Sequence, residues 1–292
     1  MIKIQNLISK PSLLSECVIA TVHLNGETIL IKNRDRAYDP TISIVHELVN
    51  DVEIMYIHDE LTDWSEGMNE YGIGIINSSL MVNFDEKEGE IAKDKDKSKK
   101  GSKPSYDGLK IRTALSKNKL SEAIKSIINF SGDDHKDVGV KGMTMVANPK
   151  HAFVIEMTSE HLPVIKKIDS PKVTVRTNHG VAYPDTGYTS GIKRESSITR
   201  LQVAKKELAK ANDPEELLDI MSNQWMKNNF MNPYRRNNKL NMHSTGQVMM
   251  NLDELKFYFR WDVENSRYDG YVNKLPAGYK PKITLANIDE VQ

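Results

Sequence analysis

The Asn25-Gly26 pair is the feature that most constrains how this chain can fold. It lies between two apolar, β-branched runs, Val18–Leu24 and Glu27–Ile31. An Asn-Gly pair in that position predicts a tight β-hairpin, because both turn residues need a positive φ. The only cysteine of the sequence, Cys17, therefore stands at the beginning of a predicted strand.

Later segments alternate between strand-like and helix-like patterns. Apolar runs predict strands at Asp51–Asp59, Tyr71–Ser79, Met143–Ala147, His151–Met157 and Lys172–Thr177, and in "QVMMNL" and "LKFYFRWDV" near the C-terminus. Helical periodicity predicts helices at Asp107–Asn118, Ser121–Phe130 and Glu195–Ala211, with Ser196 or Ser197 as the N-cap of the last. Asp213-Pro214-Glu215-Glu216 predicts another helix start, with the helix continuing to about Phe230. Strands, then helices, then strands again indicate an α+β or layered fold.

Composition limits the class of protein. The 292 residues include 40 basic and 40 acidic side chains, so the net charge gives no indication of a nucleic-acid or membrane partner. No apolar run is long enough for a secretory signal or a membrane span, and a single cysteine fits a reducing compartment. We expect a soluble, cytoplasmic protein, with its oligomeric state, homo-oligomer included, left open.

Two segments stand apart from the predicted core. Residues 1–16 have the character of a propeptide, and residues 17–292 are predicted to form one domain. The region at about 85–106 is low in complexity and mixes acids with lysines, which predicts a flexible, solvated insertion.

Most common catalytic and metal motifs are missing from the sequence. It has no GxGxxG, P-loop, HExxH or GxSxG motif and no Cys/His zinc spacing, so we expect neither a cofactor nor a metal. A papain-like pair of Cys17 with His179 is a weak alternative, because that family places its cysteine at a helix start. A cysteine at a strand start suits an N-terminal nucleophile, whose freed α-amine has a reference pKa of about 8 and acts as the base. The competing interpretation is a buried core cysteine.

Several short blocks follow Cys17 in a definite order. Cys17 is followed by a hairpin and then by "KNRD" at Lys32–Asp35. The blocks "GMNEYGIGIINSSL", "GMTMVANPKHAFVIEMT", "RTNHG" and "ESSITRLQVAKKEL" come next. In type and in order these blocks resemble the cysteine-type Ntn hydrolases. The branch they resemble is the acyl-CoA:6-aminopenicillanic acid acyltransferase family, with the choloylglycine hydrolases as relatives.

This resemblance implies a four-layer αββα sandwich, with two antiparallel sheets between helix layers. It also implies a self-processing enzyme, made as a zymogen and matured by autoproteolysis, that hydrolyses or transfers the acyl group of a small linear amide through a thioester. The site residues implied are Cys17 as nucleophile, Asp35 holding its amine or thiol, Asn77 as oxyanion donor, Asn178 binding the amine or the intermediate, and Arg200 orienting Cys17 and Asp35. Ser78 or Ser79 replaces Asn77 if the strand register differs, and Lys32 stands where bile-salt hydrolases carry arginine.

Two residues depart from the family pattern. Glu16 precedes the nucleophile where self-processing relatives commonly have a small residue, and Val18 follows it where threonine is usual. These departures motivate an alternative: a catalytically silent Ntn-fold binding or structural protein that keeps its N-terminal segment. The substrate is left open, and "FYFRW" at Phe257–Trp261 fits either core packing or an acyl pocket.

Overall fold

The structure is a computed structural model that describes residues 15–36, 40–80, 107–129, 139–158, 160–169, 172–236, 242–263, 266–272 and 282–284. Within these ranges the strands are β1 (Ser15–Leu24), β2 (Glu27–Arg36), β3 (Ile42–Val49), β4 (Val52–Asp59), β5 (Trp64–Asn69), β6 (Gly74–Ser78), β7 (Gly142–Ala147), β8 (Ala152–Met157), β9 (Val164–Lys167), β10 (Val173–Arg176), β11 (His243–Asn251), β12 (Lys256–Val263), β13 (Ser266–Val272) and β14 (Lys282–Thr284). The helices are α1 (Asp107–Leu115), α2 (Leu120–Ile128), α3 (Gly191–Leu208) and α4 (Glu216–Ser222), with a short 3-10 turn at Asn229–Met231.

The predicted hairpin forms as the sequence indicates. Asn25 and Gly26 have φ values of 54° and 87°, and Leu24 pairs directly with Glu27 across the turn. Because both turn residues are in the left-handed region, the two strands continue with matched twist. The hairpin β1–β2 is therefore a confirmed prediction.

The strands form two antiparallel sheets. The first has the order β10-β1-β2-β11-β12-β13, and the second has the order β14-β3-β4-β5-β6-β7-β8-β9. In the first sheet, β2 pairs with β1 on one side and with β11, from the far end of the chain, on the other. The hairpin that carries Cys17 is thus an interior part of its sheet.

Three apolar clusters show how the layers pack. One lies between the two sheets and includes Leu30, Met145 and Phe257. A second packs α3 and α4 onto the outer face of the first sheet, and a third packs α1 and α2 onto the outer face of the second sheet. The αββα sandwich expected from the sequence is confirmed. Phe257 and Phe259 lie in the core between the sheets, which is the packing role considered for that aromatic run.

The helix α3 begins earlier than predicted. It starts at Gly191, with Ser190 in the N-cap position, rather than near Glu195. Ser196 and Ser197 are not caps: their hydroxyls donate to the Phe230 carbonyl at 2.6 Å and to Thr177 Oγ1 at 3.0 Å. Because these hydroxyls have partners in neighbouring segments, they do not compete for the helix backbone.

The helix α4 is shorter than predicted. It ends at Ser222 rather than near Phe230, and Asn223 is already extended. The Asn223 side chain accepts a hydrogen bond from the backbone N–H of Gln224 at 2.8 Å. Side-chain bonds of this kind replace helical ones, so the chain leaves the helix at this point.

Strands were missed where the alternation is weak. The strands β3 and β5 were not predicted, and β6 covers only the second half of the predicted Tyr71–Ser79 strand. The predicted insertion at about 85–106 and most of the predicted 1–16 segment lie outside the described residues. No helix within the described ranges is long and apolar enough to cross a membrane.

Candidate active site

Cys17 lies in an interior strand with its thiol facing the core between the sheets. The side chain is 1% exposed and belongs to the apolar cluster between the sheets. β1 starts at Ser15, two residues before the predicted start, because Ser15 and Glu16 continue the ladder opposite Arg36 and Asp35. Neighbouring residues of a strand point to opposite faces, so Glu16 and Cys17 face different layers of the molecule.

The Cys17 thiol lies beside a buried group of charges between the sheets, which we call the inner charge network. Its members are Lys32, Arg34, Arg36, Asp59 and Glu66. Arg36 Nη1 lies 3.5 Å from Cys17 Sγ, and its Nε lies 3.8 Å from Asp59 Oδ2. Arg34 contacts both carboxylates, at 2.9 Å to Glu66 and 3.2 Å to Asp59. Three cations and two carboxylates of one cluster therefore surround the sulfur side of β1 and β2.

Burial alone would disfavour every charge of the inner charge network. Burial would raise the pKa of Glu66, but Lys32, Arg34 and Arg36 outweigh it and bring that pKa down to about 2. Burial lowers the pKa of Lys32, while the neighbouring Cys17 and Glu66 act in the opposite direction. The network is thus held by its ion pairs, and a negative charge on the sulfur would join it as a further partner of the cations.

A second buried group of charges lies on the other face of the hairpin, beneath α3. This outer charge network consists of Glu16, Asp35, Tyr188, Arg200 and Arg235. Glu16 Oε2 lies 2.6 Å from Arg235 Nη1 and 3.2 Å from Arg200 Nη2, and the Tyr188 hydroxyl donates to Oε1. Asp35 Oδ2 lies 3.5 Å from Arg235 and 3.7 Å from Arg200. Two carboxylates thus face two guanidinium groups.

The two carboxylates of the outer charge network differ in their pKa shifts. Burial would raise the pKa of Glu16, but Arg235, Arg200 and the Tyr188 hydroxyl outweigh it and hold that pKa below its usual value. Burial raises the pKa of Asp35, and the same arginines and the Ser244 hydroxyl only partly oppose the shift. Burial and the positive charge of Arg235 lower the pKa of Arg200 to about 10. Glu16 is therefore the carboxylate that the arginines stabilise most effectively.

Asn178 and Ser78 connect the backbone of Cys17 to these groups. The backbone N–H of Cys17 donates to Asn178 Oδ1 at 3.3 Å, and Arg200 Nη2 donates to the same oxygen at 2.9 Å. Ser78 Oγ donates to the Cys17 carbonyl at 3.3 Å, and Arg200 Nη1 also donates to that carbonyl at 3.4 Å. Asn178 Nδ2 in turn donates to Ser78 Oγ at 3.1 Å. The nitrogen that a cut at Glu16–Cys17 would free is thus already held in place.

Four of the five residues predicted from the sequence surround the Glu16–Cys17 peptide, namely Cys17, Asp35, Asn178 and Arg200. Asp35 lies on the face of Glu16 rather than on that of the sulfur, and Ser244 Oγ donates to its Oδ1 at 2.5 Å. Asp35 is therefore connected to the backbone of Cys17 through Arg200, and its carboxylate lies on the opposite face of the hairpin from the thiol.

Asn77 lies apart from this group. Its Nδ2 donates to Thr144 Oγ1 at 2.7 Å and to the Lys141 carbonyl at 3.2 Å. Its neighbour Ile76 packs between the sheets, so Asn77 points to the opposite, helix-covered face of β6. Ser78, the alternative that the sequence left open, occupies the position beside Cys17.

His179 contacts α3. Its Nδ1 lies 2.9 Å from Ser197 Oγ and 3.2 Å from Thr177 Oγ1. Burial and the positive charges of Arg194, Arg200 and Arg176 lower its pKa to about 4. The ring is thus held neutral among hydroxyl groups, which is a poor match for the ion pair of a papain-like site.

Apart from Lys32, which the family resemblance singled out, the other charged residues of the site were not predicted from the sequence. Lys32, Arg34 and Arg36 alternate along β2, and that spacing was an available signal for a charged strand face. Arg235 and Tyr188 come from irregular segments with no motif around them, so no pattern marks them. Within the described ranges, no group of three or more His, Cys, Asp or Glu side chains is placed to hold a metal ion.

The layers define the fold class. Two antiparallel sheets lie between helix layers, which is the arrangement that the resemblance to the Ntn hydrolases implies.

Several solved structures are similar to this chain over most of its length. A variant of conjugated bile acid hydrolase from Clostridium perfringens has a TM-score of 0.58 at 13% identity, over 92% of this chain and 97% of that chain. A second mutant of the same hydrolase has a TM-score of 0.52 at 13% identity, over 92% and 96% of the two chains. Penicillin V acylase from Agrobacterium tumefaciens has a TM-score of 0.49 at 10% identity, over 88% and 86%. No protein-family model matches the sequence, and no curated protein matches it. The bile acid hydrolase structures show that the fold predicted by resemblance is the fold of this chain.

Proposed function

We propose that this protein is a cysteine amidohydrolase or acyltransferase that activates itself by cutting the Glu16–Cys17 bond. The observation that carries the proposal is that both the sulfur and the backbone nitrogen of Cys17 have polar partners. Its sulfur lies 3.5 Å from Arg36 within a buried cationic cluster, and its nitrogen is held by Asn178 beside Arg200. A thiolate and a free α-amine would each find partners already in place.

The self-processing step uses the chemistry of one residue. The Cys17 thiol adds to the Glu16 carbonyl carbon, and the Glu16–Cys17 C–N bond then breaks to give a thioester and a free α-amine. Water hydrolyses the thioester, which returns the thiol and leaves Glu16 with a new carboxylate. The segment Met1–Glu16, joined to the sulfur through the Glu16 carbonyl, is thereby the first acyl group that the site transfers to water.

The mature enzyme would treat an external amide in the same way. The thiolate attacks the amide carbonyl, the amine leaves with a proton from the Cys17 α-ammonium, and water or an acceptor amine then attacks the thioester. Ser78 and Asn178 are the donors nearest to Cys17, and we propose them, rather than Asn77, for the oxyanion. Small linear amides are the substrate class that this chemistry fits.

The outer charge network supports the α-amine as the base. With Glu16 released, Arg200 and Arg235 share only Asp35 within that network. Positive charges near an amine favour its neutral form, which is the form that accepts a proton. Breaking the C–N bond therefore creates the base, and the release of Glu16 after thioester hydrolysis changes the charges around it.

Intact-mass spectrometry of the purified protein tests this proposal. The wild type is expected to lose Met1–Glu16, whereas Cys17→Ala is expected to keep it, because the variant has no nucleophile. The control is Ser126→Ala, which removes a hydroxyl of α2 that donates within its own helix and is expected to be cut. If the wild type keeps its full mass and its thiol does not react with acylating probes, the proposal is wrong.

One observation favours the alternative of a silent binding protein. The Glu16 carboxylate is buried against two arginines and a tyrosine hydroxyl, which anchors the residue before Cys17. A protein of this kind would keep Met1–Glu16 and bind a partner equally well with Cys17→Ala. Amide turnover that disappears in Cys17→Ala would exclude it.

A further inference from the structure

We propose that the pocket now filled by the Glu16 side chain becomes the acyl-binding subsite of the mature enzyme and selects acyl groups that carry a carboxylate. Its walls are Tyr188, Arg200 and Arg235. This inference rests on the proposed self-processing, and it names the substrate class of the same site.

The position of Glu16 relative to the reacting bond assigns the pocket to the acyl side. Glu16 contributes the carbonyl of the bond that Cys17 would cut, so its side chain belongs to the group that forms the thioester. The outgoing amine is the nitrogen of Cys17 itself, which Asn178 holds. An external substrate whose acyl group follows the same path places its tail where the Glu16 carboxylate now lies.

The charges of the pocket specify an anion. Arg200 and Arg235 are both fully buried, and in the present structure they face the carboxylates of Glu16 and Asp35. Once Glu16 leaves, one carboxylate remains between two guanidinium groups. A buried cation without a partner is costly, so a second carboxylate is the group that restores the pairing.

The hydrogen bonds of the pocket favour a carboxylate over other groups, because they are directed at both of its oxygens. Arg235 Nη1 lies 2.6 Å from Glu16 Oε2, and the Tyr188 hydroxyl donates to the other oxygen of the same carboxylate. Both oxygens are thus bound from defined directions, which a neutral alkyl tail cannot reproduce. A glutaryl group has the same carbon spacing between carbonyl and carboxylate as a glutamyl residue, so it is the simplest acyl group of this class.

A comparison of two substrates tests the inference on the self-processed wild type. N-glutaryl-p-nitroanilide and N-pentanoyl-p-nitroanilide have the same chain length and differ by the terminal carboxylate. We expect kcat/KM to be about tenfold to hundredfold higher for the glutaryl compound, the range that corresponds to a hydrogen bond with a charged group. Equal values, or faster turnover of the pentanoyl compound, would overturn the inference.

Two variants connect the preference to the pocket. Arg235→Gln is expected to reduce the glutaryl-to-pentanoyl ratio by about tenfold or more. Arg236→Gln, at the exposed neighbouring position, is the matched control and is expected to keep the wild-type ratio. Should Arg235→Gln fail to fold, Tyr188→Phe removes only the hydroxyl and is expected to reduce the ratio in the same direction. A ratio that stays at the wild-type value in these pocket variants would also overturn the inference.

The outcomes separate this inference from the proposed function. Cys17-dependent turnover without a glutaryl preference would leave the amidase proposal standing and remove the subsite. An uncut chain that turns over neither anilide would remove both.

Discussion

Glu16 belongs to the outer charge network, whereas the thiol of its neighbour Cys17 contacts Arg36 of the inner charge network, because successive side chains of a strand point to opposite faces. The same alternation decides which residue of β6 can act on Cys17. Ser78 reaches the Cys17 carbonyl, whereas Asn77 is turned towards Thr144. Neighbouring positions of β6 therefore have different contacts: Ser78 contacts Cys17 of the other sheet, and Asn77 contacts Thr144 of the adjacent strand.

Ser78 and Asn77 give a matched pair of substitutions. Ser78→Ala is expected to lower kcat/KM for amide turnover by about a hundredfold, because an oxyanion donor is lost. Asn77→Ala is expected to lower the free energy of unfolding by about 1–3 kcal/mol, because two hydrogen bonds of a buried amide are lost. Measurements of kcat/KM and of urea unfolding for both variants check that Ser78 affects activity and Asn77 affects stability. A larger loss of activity in Asn77→Ala than in Ser78→Ala would contradict it.

Among the individual residues of the site, those that lie in short motifs were predicted from the sequence. Cys17, Asn178 and Arg200 come together around one peptide bond, as the family resemblance implied. The Asn77 position depended on the register of β6, and a one-residue difference in register exchanges the two faces of a strand. Arg235 could not be predicted, because it reaches Glu16 from an irregular segment 219 residues away.

Among the secondary-structure elements, the β1–β2 hairpin was the best predicted, because its signal is local. An Asn-Gly turn specifies the backbone within two residues, and the structure has both in the left-handed region. The ends of α3 and α4 were poorly predicted, because they depend on partners outside the helix. Ser196 and Asn223 form hydrogen bonds that helical periodicity does not reveal.

The turn offers a test of this local control. Gly26→Ala is expected to lower the free energy of unfolding by about 1–2 kcal/mol, because an alanine is strained at a φ of 87°. A Cβ at this position would have no atom within 4 Å, so the cost comes from the backbone alone. Gly26→Asn is the control and is expected to lose less, because asparagine tolerates a left-handed conformation. Urea unfolding measures both, and an unchanged midpoint for Gly26→Ala would contradict the argument.

At the scale of the whole molecule, the two charge networks make stability depend on pH. The pKa of Glu66 falls from 4.5 to about 2 on folding, so its contribution is present above the unfolded value and is lost as the pH falls through the folded value. The pKa of Asp35 is raised on folding, so its contribution is present at low pH and is lost as the pH rises through the folded value. As the pH falls, Glu66 therefore lowers the stability of the folded state and Asp35 raises it.

Unfolding measured from about pH 6 to about pH 2 tests these signs. Glu66→Gln is expected to be less stable than the wild type by about 3–5 kcal/mol near neutral pH, because it removes the buried carboxylate that Lys32 and Arg34 share. That difference is expected to shrink towards acid, as the wild type loses the same charge. Asp35→Asn is the control, for which the stability advantage of the wild type is expected to grow towards acid. A difference for Glu66→Gln that is constant with pH would contradict the ion-pair account.

The contacts around the Glu16–Cys17 bond also determine when, during synthesis of the chain, this bond can acquire its partners. Glu16 is 184 residues from Arg200 and 219 residues from Arg235, and Asp35 is 209 residues from Ser244. While the first part of the chain leaves the ribosome, none of these partners has yet been made. The proposed cut, if it needs these partners, would therefore be a late event, and chains that terminate early would keep their N-terminus. Cleavage would then report that translation has passed Ser244.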